Sequence, residues 1–368
     1  MIEILRIQDF RNITAADIAL AARLNVFAGG NGSGKTSLLE AVHVLSRAKS
    51  FRAPSLRSVV KQGAAALTVF AQCQSHSKSD QNAQIQHRLG LSFDQRLGKA
   101  AKLDGESVKN TSRLAQQLPV IYIGHETLSL LGGAPEERRS YLDWGLFHVE
   151  PSFLPLAQRY GRALKQRNAA LRQKAPLSEV NAWDGDLVDA GEGLDRLRNL
   201  YLTELWPHFT VSLATMSPNF RWGGDISWRY QRGWPEPQSF AECLATSAPS
   251  DLAAGFTRSG PHRADFVLTG AGRPLREQVS AGQSKVSVCA LLHAQAKLVE
   301  QRTGICPVLL VDDLPAELDA SHRATVLSTM AALDTQFLVT ATEQSLLDLG
   351  LLGSADGMFH VEHGLFTR

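Results

Sequence analysis

One segment of eight residues carries the glycines and the lysine that a phosphate-binding loop requires. Gly29-Gly30-Asn31-Gly32-Ser33-Gly34-Lys35-Thr36 fits the Walker A pattern G-x-x-x-x-G-K-[ST] at every fixed position. Glycines let backbone N–H groups surround a phosphate, Lys35 supplies a positive charge, and the Thr36 hydroxyl is a ligand for Mg²⁺. A run of strand length, Leu24–Ala28, comes before the loop, and an amphipathic helical pattern, Thr36–Val42, follows it. The segment predicts a binding site for a nucleoside triphosphate.

A second segment places two carboxylates at the end of a buried strand. Val308–Val311 is continuously apolar, as expected for a parallel strand that is covered on both faces, and Asp312 and Asp313 follow it. In a Walker B strand, Asp312 would hold Mg²⁺ through water, and Asp313 would orient or deprotonate the attacking water. An acidic turn after a core strand is the simpler alternative, which the phosphate-binding loop disfavours.

A third segment contains small residues at the start of a helical pattern. Ser280, Gly282 and Gln283 precede apolar residues at helical spacing up to about residue 301. The N-terminus of such a helix is a second site for an anion, and one phosphate uses both sites only if two surfaces close on it. An ordinary helix N-cap explains the same residues equally well.

The composition is that of a globular chain with two or three cores. Of the 368 residues, 44% are hydrophobic and 20% are charged, and the formal charge of +2 indicates neither nucleic acid nor membrane by itself. The four cysteines form no Cys-x-x-Cys pair, which fits a reducing compartment. Neither a secretion signal nor an apolar run of roughly 20 residues is present, so we expect a cytoplasmic protein that does not span a membrane.

Strand patterns occupy both ends of the chain, and helical periodicity lies between them. Two stripes of apolar residues, Phe153 to Leu171 and Trp183 to Tyr201, flank Pro176 and predict a short antiparallel helical hairpin. We therefore predict an α/β head that is built from residues 1–124 and 256–368, with a mainly helical second lobe over 125–255. The predicted strands are Ile2–Ile7, Leu24–Ala28, Leu67–Cys73, Ile85–Phe93, Val120–Ile123, Asp265–Leu268, Val308–Val311, Phe337–Val339 and Met358–Val361.

Together these segments resemble an ABC-type P-loop ATPase head of the SMC kind, and within that group the RecF family of recombination mediators. The resemblance covers nearly the whole chain. Besides the Walker A loop, it rests on these segments: Asp9-Phe10-Arg11-Asn12, Ser50-Phe51-Arg52, Gly132-Gly133-Ala134-Pro135, Arg138-Arg139, Leu142-Asp143, Lys165–Leu171 and Gly260-Pro261-His262-Arg263.

The resemblance implies an ATP-dependent DNA-binding protein of replication, recombinational gap repair and the SOS response. In that family RecR and RecO are partners, and the protein helps to load RecA on single-stranded DNA. The resemblance also implies a homodimer with ATP and Mg²⁺ between its subunits. One subunit would hold the nucleotide through Gly29–Ser37, with Arg11 and Asn12 beside it, and the other would contribute Ser280, Gly282 and Gln283.

Three departures from transporter ATPases bear on catalysis. Asp313 stands where those proteins have glutamate, Thr340-Ala341-Thr342 offers no histidine, and Tyr122-Ile123-Gly124-His125-Glu126 replaces the usual Q-loop glutamine. Because the Asp313 side chain is one methylene shorter than glutamate, we expect slow hydrolysis, with ATP acting as a clamp. The sequence leaves open whether His125 or Glu126 senses the metal.

Two locally basic segments are candidates for sequence-independent DNA contacts. Solvated surface is the alternative for both, and Phe51 and Tyr160 could stack on bases or pack internally. The candidate DNA-binding residues are Arg47, Lys49, Arg52 and Arg57 in the first segment and Arg159, Arg162 and Lys165 in the second.

Three rival functions remain: an ABC transporter nucleotide-binding subunit, a long-armed SMC or RecN-like tether, and a nucleotide-gated clamp that never hydrolyses. The 245-residue separation of Lys35 and Ser280 disfavours the transporter, and the short hairpin disfavours the tether.

Overall fold

The computed structural model describes residues 1–76, 84–218, 226–313, 318–342 and 356–368. Its strands are β1 (Ile2–Phe10), β2 (Ile13–Ala19), β3 (Leu24–Ala28), β4 (Ala66–His76), β5 (Gln84–Asp94), β6 (Gly98–Leu103), β7 (Glu106–Ser107), β8 (Val120–Ile123), β9 (Ile226–Gln231), β10 (Asp265–Gly270), β11 (Arg273–Pro274), β12 (Val308–Asp312), β13 (Phe337–Ala341), β14 (Gly357–Glu362) and β15 (Leu365–Thr367). Its helices are α1 (Lys35–Arg47), α2 (Ser112–Gln117), α3 (His125–Leu128), α4 (Pro135–Val149), α5 (Phe153–Arg172), α6 (Leu177–Asn181), α7 (Asp184–Met216), α8 (Phe240–Ala254), α9 (Ala281–Thr303) and α10 (Ala320–Ala331).

The chain forms two compact units, and neither corresponds to one continuous segment. The first contains Met1–Ser129, Phe209–Pro218 and Ser280–Arg368, and the second contains Leu130–His208 and Asn219–Val279. These units depart from the predicted boundaries at 124/125 and 255/256. The later boundary moves to residue 279 because β10 pairs with β9, which fixes this stretch in the second unit.

A six-stranded sheet in the first unit positions the Walker A loop. The strand order is β15-β14-β3-β13-β12-β8, and every pair except β14–β15 is parallel. Consequently β3, β12 and β13 all end at the same edge, where the loops that follow them meet. β3 is flanked by β13 and β14, which both come from the C-terminal part of the chain. The predicted head built from both chain ends is confirmed.

Helix α1 lies between this parallel sheet and an antiparallel sheet of order β2-β1-β4-β5-β6-β7. Eleven of its 13 residues are buried, including Glu40 and His43. Since a helix covered on nearly all sides must satisfy its polar groups internally, both side chains have hydrogen-bond partners within this unit.

The second unit is mainly helical and also contains the three-stranded sheet β11-β10-β9. α5 and α7 form the predicted antiparallel hairpin, because Arg167 near the end of α5 binds Asp184 at the start of α7, whereas the earlier Arg159 binds Asp189. Arg167, which the apolar stripe of α5 includes, is fully buried and also binds the buried Asp251 at 2.8 Å.

None of the helices in the described part of the chain is long and apolar enough to cross a bilayer.

Candidate nucleotide-binding site

The Walker A loop occupies the turn between β3 and α1, as its sequence predicts. Gly32 and Gly34 have φ angles of 77° and 120°, a region that glycine enters without steric cost. Gly29 is required for another reason, because a Cβ there would lie 2.2 Å from the carbonyl oxygen of Val361. The Lys35 Nζ donates to the carbonyl oxygens of Gly29 (2.7 Å) and Gly30 (2.8 Å), so its ammonium group is held over the loop.

Two turns distant in sequence hold this loop in place. Asn12 Nδ2 donates to the carbonyl oxygen of Gly32 at 3.1 Å, and its Oδ1 accepts from Ser37 Oγ at 3.0 Å. On the other side, the backbone N–H of Gly364 donates to the carbonyl oxygen of Ser33 at 2.7 Å. Gly364 has a φ of 80°, and a Cβ there would lie 2.5 Å from the carbonyl oxygen of Asn12. In this structure Asn12 and Ser37 therefore brace the loop.

Arg11 connects the loop's helix to the segment that carries Arg52. Its guanidinium makes a bidentate ion pair with the fully buried Glu40, at 2.9 and 2.8 Å. Ser50 Oγ also donates to Glu40 and accepts the backbone N–H of Arg52 at 2.9 Å. One buried carboxylate thus holds both arginine-bearing turns.

Asp312, at the end of β12, accepts hydrogen bonds from three hydroxyl groups. Its Oδ1 accepts from Thr36 Oγ1 at 3.0 Å and from Thr340 Oγ1 at 2.6 Å, and its Oδ2 accepts from the Tyr122 hydroxyl at 3.2 Å. Thr340 Oγ1 also accepts the backbone N–H of Asp313 at 3.1 Å. Asp313 has a φ of 47°, which is uncommon for a non-glycine residue and places a strained backbone at the predicted catalytic position.

Burial and charge act in opposite directions on Lys35 and in the same direction on Tyr122. Burial lowers the pKa of Lys35, and the carboxylates of Asp313 and Asp312 partly restore it. Burial raises the pKa of Tyr122 far above its ordinary value, and Asp312 and Glu126 raise it further. The phenol therefore keeps its proton and acts as a donor.

These groups border a cavity of about 700 Å³, within the range of small-molecule sites. Four cationic side chains and two carboxylates line it, so its net charge is positive and complements a polyphosphate that is bound with Mg²⁺. In the Walker A loop, the buried Ser33 Oγ has no hydrogen-bond partner. Together with the glycine cradle, this donor set fits a nucleoside triphosphate. Among the described residues, the lining consists of Arg11, Asn12, Asn31, Gly32, Gly34, Lys35, Thr36, Ser37, Arg52, Lys61, Gln62, Asp312, Asp313, Thr340 and Thr342.

The third predicted segment begins α9 on the surface of the same unit. Ser280 Oγ accepts the backbone N–H of Gln283 at 3.2 Å, and Gln283 Oε1 accepts the backbone N–H of Ser280 at 2.8 Å. This reciprocal pair is a capping box, so Ser280 is the N-cap of α9. Neither Ser280 nor Gly282 nor Gln283 belongs to the cavity lining that the described residues form.

The comparison with known proteins decides the family. The family model for the RecF/RecN/SMC N terminal domain matches residues 1–367. A protein of Shewanella piezotolerans (strain WP3 / JCM 13877) named DNA replication and repair protein RecF is 39% identical over 363 residues, which cover 99% of this chain and 98% of that protein. The chain belongs to the RecF family. A Pseudomonas aeruginosa protein of the same name is also 39% identical, over 97% of this chain and 95% of its own.

Solved structures agree with this family in fold. The structure titled as the recombination mediator protein RecF-ATP in the RecFOR pathway has a TM-score of 0.87 at 22% identity, and covers 100% of this chain and 96% of that one. An SMC head bound to the C-winged helix domain of ScpA has a TM-score of 0.58 at 16% identity, covering 100% of this chain and 96% of that one. The predicted SMC-type head is therefore confirmed.

The residues predicted to bind DNA in this RecF-family chain lie in unlike environments. Arg52 lines the nucleotide cavity, and Arg47 is half-buried, with its pKa lowered by burial. Lys49 is exposed, as is Arg57, which donates to the carbonyl oxygen of Gln95. In the second segment, Arg159 is paired with Asp186 and Asp189, whereas Arg162 and Lys165 are exposed on α5.

Of the two alternatives for Phe51 and Tyr160, internal packing is the one that this structure shows. Phe51 stacks on Tyr122 with ring centroids 3.8 Å apart. Tyr160 is buried, and its hydroxyl contacts the Nδ1 atom of His262 at 2.6 Å. Internal packing and hydrogen bonding occupy both rings.

Sequence reasoning missed Thr340, Lys61 and Gln62 as site residues, and gave Tyr122 no role. The position of Thr340 carried a usable signal, because it follows the apolar start of β13 as Asp312 follows that of β12, and parallel neighbours end together. Lys61 and Gln62 follow a 3₁₀ turn in an irregular segment, where no periodicity indicates which side chains face the cavity.

Proposed function

We propose that this chain is an ATP-gated DNA-binding protein of replication, recombinational gap repair and SOS induction that acts in the cytoplasm. ATP would join two copies around single-stranded or gapped DNA without regard to sequence, and RecR with RecO would be partners in loading RecA. Curated relatives named DNA replication and repair protein RecF and the RecF-ATP structure support this proposal. The proposal rests on the observation that Lys35, Thr36 and Asp312 line one cavity.

Thr36 and Asp312 would hold Mg²⁺, which supplies charge neutralisation on the β- and γ-phosphates. Backbone N–H groups of the Walker A loop would bind the phosphates, and the Lys35 ammonium would exchange the carbonyls of Gly29 and Gly30 for phosphate oxygens. Asp313 would orient the attacking water and accept its proton, while Thr340 holds its backbone.

The cavity lining supports a contribution from a second copy. The residues that line it come from the Walker A and Walker B sides, and the described part of the lining leaves Ser280 and its turn outside. A capping box fixes that turn at an exposed helix N-terminus, which is a favourable place for an anion brought by another subunit. We therefore propose that Ser280, Gly282 and Gln283 act on nucleotide held by the partner.

The test distinguishes two roles of Ser280: contact with the triphosphate held by a partner subunit, and N-capping of α9 alone. Aspartate is as good an N-cap as serine, but its charge would repel a triphosphate. We expect Ser280→Asp and Lys35→Ala each to abolish ATP-dependent dimerisation, measured by light scattering with ATP and with ADP, with and without gapped DNA. Ser239→Asp changes the N-cap of α8, which carries the same kind of box, and should dimerise normally.

A dimer that ignores ATP, or that persists in both Ser280→Asp and Lys35→Ala, would remove the shared-nucleotide model. Phosphate release from the same samples should stay well below the roughly 10 s⁻¹ of a median enzyme. If the wild type dimerises normally with ATP but releases no phosphate, the protein is instead a clamp that does not hydrolyse ATP.

A further inference from the structure

A single hydroxyl group lies between two carboxylates beside the nucleotide cavity. The Tyr122 hydroxyl is 2.8 Å from Glu126 Oε2 and 3.2 Å from Asp312 Oδ2. A phenol carries one proton, so it donates fully to only one of these carboxylates at a time. The shorter distance marks Glu126 as the stronger acceptor in this structure.

The surrounding residues hold this hydroxyl in position. Tyr122 is 5% exposed, and Phe51 stacks on its ring with an interplanar angle of 17°. Gly124 lies against the hydroxyl, because a Cβ at that position would be 2.2 Å from the phenol oxygen. Its φ of −169° is accessible to any residue, so space for the Tyr122 hydroxyl, not backbone conformation, requires a glycine here.

The two carboxylates belong to different parts of the site. Asp312 ends β12, and its other oxygen already accepts from Thr36 and Thr340. Glu126 is exposed on α3, which packs against α9, the helix that begins with the Ser280 turn. The Tyr122 hydroxyl therefore connects the carboxylate proposed to bind Mg²⁺ with α3, which contacts α9.

We propose that Tyr122 is a positioning residue whose hydroxyl donates mainly to Glu126 and so leaves Asp312 Oδ2 available to accept from metal-bound water. Without the Glu126 carboxylate, the hydroxyl would donate to Asp312 and compete with that water. Glu126 thus favours Mg²⁺ binding by accepting the Tyr122 hydrogen bond that would otherwise go to Asp312. This inference rests on the proposed nucleotide site, and it assigns metal sensing at the Q-loop position to Glu126 acting through Tyr122.

A double-mutant cycle tests the coupling, with the Mg²⁺ dependence of binding of a fluorescent ATP analogue to the full chain as the readout. Glu126→Gln should raise the Mg²⁺ concentration at half-maximal binding about fivefold, as expected for a partly exposed charge-assisted hydrogen bond. In the Tyr122→Phe background the same substitution should have less than about a twofold effect, because no hydroxyl remains to transmit it. Glu106→Gln, which removes an exposed carboxylate from β7, should change neither value.

An equal effect of Glu126→Gln in both backgrounds would overturn the proposal, since Glu126 would then act through its charge alone. If Tyr122→Phe does not fold, as judged by its thermal melt, Gly124→Ala takes its place, because the added Cβ displaces the hydroxyl. Failure of the wild type to bind the analogue at saturating Mg²⁺ would contradict the proposed function itself. Binding with an additive cycle would contradict only the role of Tyr122. As a second readout, Mg²⁺-dependent dimerisation should shift in parallel.

Discussion

At the scale of single residues, the site depends on hydroxyl groups around Asp312 as much as on its charged groups. Thr340 serves two neighbours, because its Oγ1 donates to Asp312 and accepts the backbone N–H of Asp313. It is fully buried, so removal of the hydroxyl takes one hydrogen-bond partner from the Asp312 carboxylate and one from the backbone N–H of Asp313. The Walker motifs predicted both aspartates, but not the threonine that fixes them.

Thr340→Val should remove both interactions while it preserves shape. We expect the free energy of unfolding to fall by about 1–3 kcal/mol, the cost of leaving buried polar groups unpaired, and the affinity for ATP with Mg²⁺ to fall about tenfold. Urea denaturation and titration with a fluorescent ATP analogue measure the two effects. Thr340→Ser keeps the hydroxyl and should retain most of the nucleotide affinity; an equal loss in both variants would contradict this role.

At the scale of elements, α1 carries an ionisable group that its buried position keeps neutral. His43 Nδ1 donates to the carbonyl oxygen of Lys49 at 2.8 Å, and burial, reinforced by Arg47, lowers the pKa of His43 to about 3. The unfolded chain takes up a proton near the ordinary histidine pKa of about 6.5, whereas the folded chain does not. Stability from this group is therefore complete above about pH 6.5 and is lost as the pH falls from there towards 3.

His43→Gln retains an N–H donor for Lys49 but does not titrate. Between pH 7 and pH 5 the wild type should lose about 2 kcal/mol of unfolding free energy more than this variant. Urea melts of both proteins at the two pH values provide the comparison. Parallel losses would show that His43 is not responsible for the acid sensitivity.

Elements with strong apolar patterns were predictable from sequence, and those with weak patterns were not. β3, β8 and the core of β12 match their predicted spans, because both faces of these strands are covered. β2 was missed since only Ile13 and Ile18 of its seven residues are buried. An edge strand of this kind is specified by its hairpin partner more than by its own composition.

At the scale of the whole molecule, contacts distant in sequence decided which segments share a unit. Residues 209–218 return to the first unit just after Pro207, but a proline inside a helix does not indicate which unit the following residues join. The basic residues predicted to bind DNA also differ in their ion pairs, and the sequence does not reveal which of them are paired. Arg159 is neutralised by two aspartates, so Arg162 and Lys165 are the stronger candidates for DNA phosphates on α5.

Charge reversal at both positions, Arg162→Glu with Lys165→Glu, should weaken binding to gapped DNA equally for unrelated sequences. The slope of log affinity against log salt should become shallower by roughly 1.4–1.8, the value for two lost phosphate contacts. Fluorescence anisotropy over a salt series gives this slope. Lys99→Glu with Lys102→Glu makes the same charge change on exposed residues of β6. An equal loss of DNA affinity in that variant would show that net charge, and not contact at Arg162 and Lys165, causes the effect.

The pairing of β3 has a consequence for biosynthesis. Both strands that flank it, β13 and β14, are translated about 300 residues later, and Gly364, which braces the loop, comes later still. At roughly 5–20 residues per second, the ribosome leaves the strand without its sheet neighbours for some tens of seconds. A nascent chain consequently completes its phosphate cradle only near the end of synthesis, and until then the apolar strand needs protection from aggregation.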